Sequence, residues 1–190
     1  MYMQNIIALG MISLFTWGCG NSDKQKGETV QTPLVDKVWY SNPVIDSDNP
    51  DPTVIKAEDG YFYLYATGGN TWIHKSKDLV HWTYVSGAYE EDKKPSWEPD
   101  AGIWAPDINY VDGKFIIMAT LRLNGDGKRD NNVLRRQLVV TSDKPQGPYS
   151  KPAWLEVDNI DPSLFVDDDG KKYLLISPGI NLLPLSDDCT

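Results

Sequence analysis

Three carboxylates stand ahead of short apolar runs: Asp51 in NPDPTVIKAEDG, Asp107 in APDINYVDG and Asp161 in IDPSLFVDDDG. Each run closes on Asp-Gly, and the three leading aspartates are spaced by 56 and 54 residues. Acids gathered in one place suit glycoside hydrolysis, divalent-metal binding or recognition of sugar hydroxyls. Hydrolysis with inversion needs one carboxylate to activate water and one protonated acid for the leaving oxygen, held about 6.5–9.5 Å apart. A further carboxylate nearby raises the acid's pKa by like-charge repulsion. One Asp-Pro pair is an ordinary strand-entry turn; recurrence in register is what favours a site.

Metal binding is the weaker choice. The two histidines, His74 and His81, fall in strand-like segments and form no cluster. The stretch Asn124-Gly-Asp-Gly-Lys-Arg-Asp130 looks like a calcium loop, but Lys128 stands where an oxygen ligand is needed. It reads as a solvated hairpin loop. The chain has no glycine-rich phosphate loop and no nucleophile elbow.

The elements that must carry the acids are strands. Tyr61–Thr67, Trp72–Ser76, His81–Val85, Lys114–Thr120, Arg136–Ser142 and Lys172–Ile176 are rich in aromatic and β-branched residues. Three of them follow an Asp-Gly pair, at Asp59-Gly60, Asp112-Gly113 and Asp169-Gly170. No segment from Val38 onward has convincing helical periodicity. Units of about four strands repeating near every 50 residues predict an all-β fold of the β-propeller type. In a propeller the first strand of each blade lines the axis, so its starting residue lies at one mouth of the channel. The three aspartates are expected to converge there.

The 190 residues are 41% hydrophobic and 24% charged, as in soluble domains. A net charge of −9 argues against nucleic acid as a partner. Seven Trp and ten Tyr supply faces for sugar rings, although the core is the more frequent home of any one Trp. Only Cys19 and Cys189 are present, so no disulfide framework is expected. The apolar run Ile6–Gly18 is too short for a mature membrane span and fits a secretory signal. Gly18 before Cys19 resembles a bacterial lipoprotein signal, in which Cys19 is lipidated. The expected organisation is a signal over 1–19, a flexible linker over 20–37 and a propeller domain over 38–190, in the periplasm or at the cell surface.

NPVIDSDNPDPTVI, SKDLVHW, GIWAPDINYVDGKFIIMAT and IDPSLFVDDDGKKYLL, in this order, resemble glycoside hydrolase family 43. The resemblance runs from Asn42 to Asp188. It implies a five-bladed propeller that cleaves arabinose- or xylose-containing plant polysaccharides with inversion. It implies Asp51 as general base and Asp161 as the carboxylate that tunes the acid and orients the sugar. Trp104 and Asp107 fall in a wall of the sugar pocket, and SKDLVHW in the outer strands of a blade. No cofactor is required; some relatives carry a channel metal such as calcium, which would depend on residues beyond Thr190.

The family's third acid, a Glu proton donor on a later blade, has no match. Glu90 and Glu91 lie in a charged run, Glu98 precedes a blade, and no Glu follows Glu156. Roughly two and a half blades are expected, with SPGINLLPLSDDCT as a blade hairpin and Cys189 where a turn would suit Gly. These 190 residues alone are expected to have little or no glycosidase activity. The competing readings are a non-catalytic glycan-binding surface lipoprotein and a gene remnant. Arabinan and xylan are not distinguished as substrates, nor exo from endo action.

Overall fold

The structure, a computed structural model, describes residues 39–89, 102–123 and 134–190. Among them are eleven strands and no helix. Strands β1 (Thr53–Lys56), β2 (Phe62–Ala66), β3 (Trp72–Ser76) and β4 (Trp82–Gly87) form one sheet in chain order. Strands β5 (Gly102–Val111), β6 (Lys114–Leu123), β7 (Leu134–Ser142) and β8 (Ala153–Leu155) form a second. Strands β9 (Ile160–Val166), β10 (Lys172–Ser177) and β11 (Asn181–Pro184) form a third. Every pairing is antiparallel. This is a partial β-propeller, two four-stranded blades and three strands of another.

The hairpins follow the Asp-Gly signals. Val111 pairs with Lys114, which leaves Asp112 and Gly113 as a two-residue turn with both φ positive, at 51° and 78°. Such a turn matches the right-handed twist of its strands. The SKDLVHW stretch is the β3–β4 turn. Asp78 accepts from the backbone N–H groups of Val80 and His81 and pairs with the His81 ring at 2.7 Å. These bonds hold its carboxyl well below the usual range, the His81 backbone bond most of all.

Burial patterns report what covers each sheet. Alternate residues of a strand face opposite sides. Phe115 to Leu121 of β6 are all buried, because both faces of the second blade are covered. Phe115, Ile117, Ala119 and Leu121 join Tyr63, Tyr65 and Ile73 in one core. Ile116 and Met118 join Leu164, Leu174 and Ile176 in another. β10 alternates buried and half-buried, since one face packs on the second blade.

Two expectations change. No described Trp belongs to either core; Trp39, Trp72 and Trp154 are exposed, and Trp82 and Trp104 half-buried. Tyr and aliphatic residues fill those places. Cys189 does occupy a left-handed turn, at φ 68°, but its side chain is only 1% exposed and belongs to the second core.

Candidate active site

Each blade has, just before or within its first strand, a residue that precedes proline and has positive φ: Asp51 at 49°, ahead of β1, Ala105 at 40°, inside β5, and Asp161 at 57°, inside β9. Residues other than Gly seldom adopt this conformation, although Asp tolerates it better than most. Proline further biases the preceding residue toward extended backbone. Strain recurring at one position in three sheets marks a corner imposed by the fold. In the second and third blades the strand register shifts there, between Trp104 and Asp107 and between Leu175 and Ser177.

These corners correct the register read from the sequence. The residue equivalent to Asp51 and Asp161 in the second blade is Ala105, not Asp107. Asp107 lies two residues further on, with Thr53 and Ser163 as its counterparts. Its Oδ2 accepts from Asn109 Nδ2 at 2.8 Å, Ser163 Oγ at 3.1 Å and the Leu164 N–H at 2.8 Å. The half-buried carboxylate therefore joins the second blade to the third. Two acids, not three, occupy the corners.

In the first two blades a threonine hydroxyl, just past β2 and within β6, clasps the next corner. Thr67 Oγ1 accepts from the Ala105 N–H at 2.6 Å, and Thr120 Oγ1 from the Asp161 N–H at 3.2 Å. Thr67 Oγ1 also donates to Asp51 Oδ2 at 2.8 Å. Thr120 Oγ1 donates instead to Gln137 Oε1 at 2.9 Å, and Gln137 Nε2 donates to the Asn159 carbonyl at 2.5 Å. Thr120 and Gln137 are fully buried. They hold the approach to Asp161 from two sides, a role that no sequence motif announces.

Asp51 and Asp161 are exposed, and among the described residues neither Asp51 Oδ1 nor the Asp161 carboxylate has a hydrogen-bond partner. Trp104 is half-buried between them in sequence register, pairing with Thr120 across β5 and β6. The corners are thus linked from Asp51 through Thr67 to Ala105, and from Trp104 through Thr120 to Asp161. Carboxylate oxygens without a partner among the described residues, on a frame of hydrogen-bonded strands, can accept a proton from water or hold a sugar hydroxyl.

A cleft of about 340 Å³ opens at the other end of the sheets, lined by Lys56, Glu58, Tyr110, Phe115 and Lys144 among others. Lys56 ends the strand that Asp51 precedes, so this cleft is remote from the corners. Among the described residues no three of His, Cys, Asp or Glu are placed to hold a metal ion. Cys19, Glu90, Glu91, Glu98 and the loop Asn124–Asp130 lie outside the described residues.

A family model described as "Glycosyl hydrolases family 43" matches residues 40–190. The chain is 36% identical over 143 residues to a β-xylosidase of Bacillus subtilis, covering 71% of this chain and 26% of that one. It is 33% identical over 181 residues to a non-reducing end α-L-arabinofuranosidase of Bacteroides ovatus, covering 91% and 30%. The crystal structure of the GH43 protein BlXynB from Bacillus licheniformis superposes with a TM-score of 0.69 at 41% identity, over 80% of this chain and 31% of that one. The chain thus spans between a quarter and a third of the length of these relatives.

Proposed function

The chain belongs to glycosyl hydrolases family 43, and from that premise we propose that it supplies the base side of an inverting glycosidase acting on arabinose- or xylose-containing polysaccharides. Asp51 is the general base: its Oδ1 takes a proton from the water that attacks the anomeric carbon. Asp161 orients the sugar and raises the pKa of the proton donor by like-charge repulsion. Trp104 forms a wall of the pocket, and Asp107 supports that wall through the blade joint rather than touching the sugar. Relatives named as a β-xylosidase and an α-L-arabinofuranosidase support the substrate class.

The observation that carries this reading is the placement of Asp51 and Asp161 at equivalent strained corners with open carboxylate oxygens. The proton donor belongs to the whole protein, of which this chain corresponds to a part. In that protein Asp51→Asn removes turnover of aryl arabinofuranosides or xylosides and leaves oligosaccharide binding in place.

The N-terminal segment adds a location. Cys19 is a lipidated N-terminus that tethers the propeller to a membrane, facing the periplasm or the outside of the cell. Cys19→Ser moves the protein from the membrane fraction to the soluble one and removes the acyl mass. A variant that stays membrane-bound with unchanged mass contradicts the anchor.

A further inference from the structure

Asp51 and Thr67 are neighbours by register. Thr53 pairs with Tyr65 in the β1–β2 ladder, so two residues outward on each strand Asp51 stands opposite Thr67. The Thr67 N–H donates to the Pro50 carbonyl at 2.9 Å, which continues the pairing past the end of the sheet. The Gly68 N–H donates to the Ile103 carbonyl at 3.1 Å, tying the same segment to the second blade. The Thr67 backbone is therefore fixed from both blades.

The hydroxyl of Thr67 is fixed as well. A hydroxyl carries one proton and two lone pairs. The Ala105 N–H occupies a lone pair at 2.6 Å, and the proton points to Asp51 Oδ2 at 2.8 Å. The Ala105 amide belongs to the strained corner of the next blade and cannot easily turn away. Thr120, at the equivalent place, accepts the next corner's N–H in the same way, but the corner of its own blade is Ala105, which has no carboxylate, and its proton goes to Gln137. The Thr67 equivalent for Asp161 is Ser177, and among the described residues no hydrogen bond joins the two, whereas Thr67 holds Asp51.

We propose that Thr67 is the positioning residue of Asp51, holding Oδ2 through a hydroxyl whose direction the second blade sets, so that Oδ1 alone faces the attacking water. This deepens the reading of Asp51 as general base and rests on it. One oxygen is anchored and the other free, so the base has a single presentation. Docking of the second blade thereby tunes a carboxylate on the first through the Ala105 backbone N–H.

The test compares Thr67→Val, which keeps the shape and removes the hydroxyl, with Thr67→Ser, which restores it. In the chain as it stands, the side-chain carboxyl ¹³C resonance of Asp51 at pH 7 moves in Thr67→Val, returns in Thr67→Ser, and leaves Asp161 unmoved. In the whole protein Thr67→Val lowers kcat by roughly 10–100-fold, the scale of a misplaced catalytic group, with KM within about 3-fold. Thr67→Ser recovers most of the rate. An Asp51 resonance unmoved in Thr67→Val, or a Thr67→Ser variant as slow as Thr67→Val, overturns the proposal. Asp51→Asn is measured beside them. If it retains turnover, the base assignment fails; if it is inactive while Thr67→Val matches wild type, only the positioning role fails.

Discussion

His74 shows how a single side chain sets a pH response away from the corners. It lies on β3 with its ring edge against Tyr84, at 5.6 Å between centroids and 73° between planes. Its buried Nδ1 has no hydrogen-bond partner among the described residues. Burial lowers its pKa, because the charged ring is poorly solvated there. The unfolded chain therefore takes up a proton first as pH falls below about 6.5, the ordinary histidine value. His74 adds a loss of stability below that pH, continuing down to the lowered folded value, and adds none above it. Denaturant midpoints between pH 7.5 and 5 are expected to fall for the wild type and to fall less for His74→Gln. Equal slopes would remove His74 as the cause. The residue's place on a strand was legible in the sequence, in the alternating run Trp72–Ser76. Its burial was not, because an alternating strand does not say which face is covered.

At the scale of strands and blades, Asp107 is the informative case. The sequence offers both Asp-Pro and Pro-Asp, and aligning the aspartates gives a plausible repeat. Aligning the residues before proline gives the repeat that the backbone follows, Asp51, Ala105 and Asp161. The strained corner lies at the residue before proline, so the proline and not the charge was the marker. Asp107 then becomes a joint, with three donors on one oxygen, two of them from the third blade. Asp107→Ala strands those donors in a half-buried site. It is expected to cost about 2–4 kcal/mol, as for charge-assisted hydrogen bonds lost together. Thermal unfolding reads this directly, and a loss under about 0.5 kcal/mol, the level of a neutral surface change, would contradict the joint. The strands themselves were legible from aromatic runs and Asp-Gly turns. The three-residue β8 was too short to announce itself. The Thr120–Gln137 pair was also hidden, since it joins residues 17 apart through side chains that no local motif requires.

At the largest scale the described residues form sheets in which each blade covers one face of the next. The rows Tyr63–Tyr65 and Ile116–Met118 are buried under the following blade, and the hydroxyls of Thr67 and Thr120 clasp its corner. Tyr173, Leu175 and Ser177 are the same row on the third blade. The catalytic reading depends on this stacking, because it sets both acids at equivalent corners. It is tested most directly by Asp51→Asn in the whole protein, with turnover of aryl arabinofuranosides and xylosides measured beside oligosaccharide binding. The expected rate is lower by at least about 100-fold, the contribution of a general base, with binding retained. Wild-type turnover in Asp51→Asn would contradict that reading.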